Sequence, residues 1–96
     1  MIIKMKTPLI RSSQLSELNN CNVWLKMESA QPTGSFKQRS IGNACLKFAE
    51  KGAKKFVSSS GGNAGISVAY MGKLLGIAVT VVVPKTTSQK AIDLMR

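Results

Sequence analysis

Two short stretches carry the residue types from which chemistry can be built. Pro32-Thr33-Gly34-Ser35-Phe36-Lys37 sets a lysine where a helix is expected to begin, and Ser58-Ser59-Ser60-Gly61-Gly62-Asn63-Ala64-Gly65 reads as strand, turn and helix with bare backbone amides at the turn. A protonated amine is a poor nucleophile. One held at the positive end of a helix and partly desolvated gives up its proton more readily and can condense with a carbonyl. A helix N-terminus presents unpaired N–H groups and a positive dipole, and glycines let an anion approach the backbone. An amine beside an anion cradle is what carbonyl-cofactor chemistry on amino acids requires. Each stretch also has a plainer reading. Lys37 is then a solvated lysine in a first helical turn, as most lysines are, and the second stretch is a turn capped by Asn63 or Ser60.

The elements that would position these residues follow from hydrophobic period. Residues 23–27 alternate, with Val23, Leu25 and Met27 on one face and Trp24 and Lys26 on the other, as in a half-buried strand. Gln31-Pro32-Thr33-Gly34 is turn chemistry. From Ser35 the period lengthens: Ile41, Ala44, Cys45, Phe48 and Ala49 make an apolar helical stripe that should end near Lys51-Gly52. Residues 54–58 read as a short strand and Asn63 to Leu75 as a helix apolar nearly all round, ended by Gly76. Residues 78–83 form a β-branched run expected of a central parallel strand covered on both faces, closed by Pro84. Thr86-Thr87-Ser88 offers caps for a third helix carrying Ala91, Ile92 and Met95. Strand and helix alternate throughout. The expected fold class is α/β, a three-layer parallel sheet with flanking helices. The 96 residues are read as a single partial domain: 1–34 an N-terminal strand and loop, 35–96 the lysine-bearing helix plus a βαβα unit.

Composition narrows the chemistry. The apolar fraction of 44% suits a globular domain. The N-terminal apolar stretch is too short for a secretory signal, and no run reaches the ~18 apolar residues of a membrane helix. A cytoplasmic protein with no membrane partner is therefore expected. There is no histidine, which excludes Ser-His-Asp schemes within the chain, and Cys21 and Cys45 have no metal-ligand spacing, so no metal is expected. Cys45 falls at an apolar helical position and reads as core. Trp24 reads as packing, and so does Phe36 taken alone, although beside Lys37 it is placed to cover a flat ring. The net charge of +10, from 14 basic against 4 acidic residues, raises nucleic acid as a partner. The cations are scattered and not interleaved with aromatics, so no nucleic-acid partner is expected. The second stretch fits neither a G-x-G-x-x-G nor a G-x-x-x-x-G-K pattern, which disfavours a nucleotide as its anion.

Thr33-Gly34-Ser35-Phe36-Lys37 together with Ser59-Ser60-Gly61-Gly62-Asn63-Ala64-Gly65 resembles the fold-type II pyridoxal-phosphate enzymes. The likeness extends through Lys6-Thr7-Pro8-Leu9, residues 23–32 and Thr80-Val81-Val82-Val83-Pro84. Within that superfamily it is most similar to the L-serine dehydratase/L-threonine deaminase branch. The resemblance implies pyridoxal 5'-phosphate as cofactor and Lys37 as the lysine bonded to it. It implies Phe36 against the cofactor ring and Asn63 on its phenolic oxygen. Ser60, Gly61, Asn63 and Ala64 would hold the substrate carboxylate. The reaction implied is β-elimination from L-serine or L-threonine, in which the freed lysine takes the Cα proton.

The chain also departs from the family's pattern. The dehydratase branch often carries Ser where Thr33 stands. Threonine synthases and cysteine synthases share the Thr-Gly-Ser…Lys pattern, but Gln38 stands where they carry Asp. The family's later glycine-rich phosphate loop and its ring-nitrogen partner lie outside these 96 residues. A fragment, inactive alone and forming a homodimer or other self-association through an exposed sheet edge and the apolar third helix, is therefore expected. The rival readings are a threonine-synthase-like or cysteine-synthase-like enzyme and a basic, non-catalytic binding module.

Overall fold

A computed structural model describes residues 3–96. Strand β1 (Leu9–Arg11), helix α1 (Ser13–Asn19), strand β2 (Trp24–Lys26) and a 3₁₀ turn at Glu28–Ala30 come first. Helix α2 (Lys37–Glu50), strand β3 (Lys55–Ser58), helix α3 (Asn63–Leu75), strand β4 (Ala78–Val81) and helix α4 (Gln89–Met95) follow. The fold is of the expected α/β class, built on small sheets. β3 and β4 pair in parallel, Phe56 opposite Val79, with α3 as their crossover. β2 does not join them. It pairs antiparallel with β1, Ile10 opposite Leu25.

β1 and α1 have no counterpart in the periodicity. The strand has three residues, and α1 is a polar helix held by its ends. The Ser12 hydroxyl accepts from Leu15 N at 3.2 Å, and Asn20, in the left-handed region at φ 51°, stops the helix. Its one buried residue is Ser16, whose hydroxyl accepts from Val23 N at 2.9 Å and so joins α1 to the approach of β2.

α2 starts at Lys37 and stops before Gly52, which takes φ 92° as expected of a residue beyond a helix end. Its buried line is Gln38, Gly42 and Cys45, narrower than the expected stripe, and Phe48 lies beside that line and stays exposed. α3 occupies the expected residues, and Gly76 at φ 67° ends it. The core is Cys45, Phe56 and Met71, with Ile41, Ala49, Val68, Leu74 and Val79 packed around it. Burial pushes the Cys45 thiol pKa up, in keeping with a core role.

The run at 78–83 differs from expectation. Only the first four residues form β4, and among the described residues β3 is its one strand neighbour. Val79 and Val81 are half-buried, while Ala78, Thr80 and Val82 are exposed. The run is thus covered on one face, because no element of the described chain lies over the other. Close contact on the covered face depends on Gly72, where a Cβ would lie 2.1 Å from Val79 Cγ2 and 2.9 Å from the Ile77 carbonyl oxygen.

The N-terminal segment is fastened by the Glu28 carboxylate. Arg39 grips both oxygens, Nη2 to Oε1 at 2.8 Å and Nε to Oε2 at 3.0 Å. The Thr7 hydroxyl donates to Oε1 at 2.8 Å and Gln31 Nε2 to Oε2 at 3.0 Å. Three chain segments meet on one anion, and a forked guanidinium makes the strongest of these bonds. Arg39 first, then the Thr7 and Gln31 donors, lower the Glu28 pKa from 4.5 to about 2. Because the folded value lies below the unfolded one, the stabilisation is complete above about pH 4.5 and is lost as pH falls towards 2. Thermal unfolding followed by circular dichroism should show this as a falling midpoint across that window. Glu28→Gln should be less stable at pH 6 and should lose that part of the acid dependence. Gly72→Ala should cost about 1–3 kcal/mol by overpacking, read as a lower midpoint in the same experiment.

Candidate functional site

The first half of the site is a turn locked from behind. Gly34 N donates to the Gln31 carbonyl at 2.8 Å, and Gly34 sits at φ 79°, where an L side chain is strained. The Gln31 amide reads the Met5 backbone on both sides, accepting from Met5 N and donating to Met5 O, each at 2.8 Å. Beyond the turn, Ser35 is buried with an unpartnered hydroxyl, Phe36 is 58% exposed, and Lys37 is half-buried as the first residue of α2. Lys37 Nζ lies over the Phe36 ring, 5.2 Å from its centroid.

What orients this turn is Gln38, which is 0% exposed. Its Oε1 accepts from the Thr33 hydroxyl at 3.1 Å, and its Nε2 donates to the Ile3 carbonyl and, at 3.5 Å, to Met71 Sδ. The Thr33 hydroxyl also lies 3.3 Å from that of Ser67, likewise 0% exposed, in α3. Successive helical residues point ~100° apart, so a Gln38 directed into the α2–α3 interface turns Lys37 away from it.

The second half is the start of α3. Ser58 Oγ accepts from Ser60 N at 3.3 Å and Ser60 Oγ from Gly62 N at 3.2 Å, which coils the loop tightly after β3. Gly62 holds the N-cap position and no side chain caps the helix. The capped-turn reading therefore fails: Ser60 bonds outside the helix, and Asn63 is its exposed first residue. The first-turn amides of exposed Asn63 and half-buried Ala64 have no intrahelical partner and are left for solvent or an anion. Gly65 is required by packing, since a Cβ there would lie 2.0 Å from the Ser60 carbonyl oxygen. Gly61 is backed by Thr87 and Val83, whose side chains a Cβ would meet at 3.1 and 3.4 Å.

Lys37 and Phe36 thus stand together at one helix start, and Ser60, Gly61, Asn63 and Ala64 at another. The bond between the two groups runs through Thr33 and Ser67. Gln38, Ser67 and Ser35 were not anticipated as part of this arrangement. The signal available was a hydroxyl at position 67 between apolar Ile66 and Val68. Two expectations change. Trp24 is 55% exposed on β2 rather than packed, and Phe36 is no core residue; β2 is covered on too little of its surface to bury the indole. Trp24, Ser35 and Phe36 line one cavity of about 440 Å³.

Comparison with known proteins matches residues 3–96 to the family described as pyridoxal-phosphate dependent enzyme. The chain belongs to that family. It is 46% identical over 94 residues to a human protein named L-serine dehydratase/L-threonine deaminase, covering 98% of this chain and 29% of that one. It is 48% identical over 87 residues to a human serine dehydratase-like protein, covering 91% and 26%. The crystal structure of a fungal L-serine ammonia-lyase from Rhizomucor miehei superposes with TM-score 0.89 at 35% identity, covering 98% of this chain and 30% of that one. Serine racemase from Dictyostelium discoideum gives 0.86 at 32%, covering 96% and 31%. The chain thus spans less than a third of the length of these relatives.

The donor set fits the cofactor that names the family. A primary amine and an aromatic face suit an aldehyde on a flat ring, and free helix-end amides suit a carboxylate. Gly34, where a Cβ would meet nothing within 4 Å, and Ser35 with its orphaned hydroxyl line the cavity beside Phe36. Gln38→Leu should destabilise the chain by about 1–3 kcal/mol in a denaturant titration, because the Thr33 hydroxyl and the Ile3 carbonyl lose a buried partner.

Proposed function

We propose that this chain supplies the lysine-bearing part of an enzyme that eliminates the β-hydroxyl of L-serine or L-threonine, yielding an α-keto acid and ammonia. The observation that carries this reading is the Lys37–Phe36 pair at the start of α2, tied through Thr33 and Ser67 to the uncapped start of α3. The names of the relatives, at 46–48% identity, supply the substrate class.

The roles are those the family resemblance implies, and the chemistry of each group suits its role. Pyridoxal phosphate, when bound, supplies an electron sink for charge developing at the substrate Cα. Lys37 Nζ would hold its aldehyde covalently and, once displaced by the substrate amine, take the Cα proton. Phe36 would cover the ring, and the Asn63 side-chain amide would donate to the ring oxygen. The Ser60 hydroxyl and the amides of Gly61, Asn63 and Ala64 would receive the substrate carboxylate, where the α3 dipole favours an anion. A racemase is the second reading, supported by the likeness to serine racemase. The same proton removal would then be followed by return of a proton to the opposite face instead of loss of the hydroxyl.

Incubation of the chain with pyridoxal phosphate, borohydride reduction and peptide mapping tests the lysine. The label should concentrate on Lys37, and Lys37→Ala should lower total labelling about tenfold; a label spread evenly over the other lysines would overturn the assignment. With catalytically competent protein, keto acid from L-serine supports elimination and D-serine supports the second reading.

A further inference from the structure

Ser58, the last residue of β3, belongs to neither group of site residues, yet it holds one of them in place. The sheet fixes its backbone: it pairs with Val81 in register, and its carbonyl accepts from Val82 N at 2.7 Å. Its hydroxyl reaches forward and accepts from Ser60 N at 3.3 Å. The Ser60 hydroxyl repeats the move, accepting from Gly62 N at 3.2 Å. The Ser60 carbonyl packs on Gly65, which has no side chain to displace it. The amide, the hydroxyl and the carbonyl of Ser60 are thus each held. Hydroxyl-to-backbone bonds of this span are the turn device of serine.

We propose that Ser58 is a positioning residue for the substrate carboxylate, acting through Ser60. The proposal rests on the reading that the start of α3 receives that carboxylate. A hydroxyl offers one proton and two lone pairs. The bond from Gly62 N uses a lone pair of Ser60 Oγ, so it does not consume the Ser60 proton, which can go to an anion. The same bond consumes the Gly62 amide, so the amides offered to a carboxylate are those on either side of it, at Gly61 and at Asn63 and Ala64. Ser58 keeps this arrangement in being before any ligand arrives. Without its hydroxyl the Ser60 amide loses its acceptor, and the next two residues are Gly61 and Gly62, the residue type with most backbone freedom to regain. The carboxylate would then have to order the loop as it binds, at a cost in affinity. Ser58 itself would not touch the substrate.

Ser58→Val and Ser58→Thr give the test, because the two side chains share a shape, suit a strand and differ in the hydroxyl. The 96-residue chain is titrated with sodium propionate, a carboxylate without an amine, and followed by ¹⁵N–¹H NMR. Shifts should concentrate on the amides of Gly61, Asn63 and Ala64. Ser58→Val should weaken propionate about fivefold, the worth of one hydrogen bond, while Ser58→Thr stays within about twofold of the unaltered chain. Circular dichroism checks that both variants remain folded. With catalytically competent protein, Ser58→Val should raise KM for L-serine about fivefold and leave kcat within about twofold, the pattern of a contact used alike before and during reaction. Equal propionate affinity in all three forms, Ser58→Thr as weak as Ser58→Val, or a fall in kcat at unchanged KM would each overturn the proposal. Shifts scattered over the unaltered chain would overturn the carboxylate site and the proposal with it. Absence of keto acid from every form would count against elimination alone, and the propionate titration would still decide the role of Ser58.

Discussion

The arrangement depends on one buried amide. Gln38 has no access to water, so its carbonyl and its amino group must both find partners inside the protein. The partners come from three separate places: Thr33 in the turn, Ile3 near the N-terminus and Met71 in α3. An apolar residue at position 38 would accept many packings of α2 on α3; an amide accepts few. The rotation of α2 about its axis is thereby set, and with it the direction of the neighbouring Lys37.

Glu28 does the corresponding work at the other end. The chain has only four acidic residues, and this one gathers Arg39, Thr7 and Gln31. Gln31 in turn binds the Met5 backbone, so the segment before β1 is held against the turn that precedes Lys37. The +10 charge makes such a link more consequential: cations repel one another across the surface, and an engaged carboxylate offsets part of that repulsion.

Much of this architecture is legible in the residues, for identifiable reasons. α3 begins and ends where its apolar density and Gly76 indicate, α2 stops at a glycine that takes positive φ, and Ser88 caps α4 by accepting from Ala91 N at 3.2 Å. These are local signals, decided within a turn or two of chain. β1 and α1 escape notice because a three-residue strand has no measurable period and a helix whose buried residue is a serine has no apolar stripe. The burial of Gln38 and Ser67 escapes for the same reason: polar residues read as surface until the partner that satisfies them is known. The exposure of Trp24, Phe48 and Val82 is the converse case, since an apolar residue is buried only if another element arrives to cover it.

What the amino-acid order determined by itself is the set of chemical parts: a lysine opening a helix, an aromatic residue before it, a glycine-rich turn after a strand, and a charge balance far to the basic side. These follow from composition and near-neighbour spacing, which folding does not alter. What only the tertiary structure decided is which parts meet. The tie from Thr33 to Ser67 joins residues 34 positions apart, and the antiparallel pairing of β2 with β1 takes that strand away from the parallel pair. The absence of a side-chain cap at the start of α3 appears only once Ser60 has bonded to Gly62 instead. Contacts between distant residues depend on the satisfaction of buried polar groups and on which faces are covered, and neither is a property of any short stretch of chain.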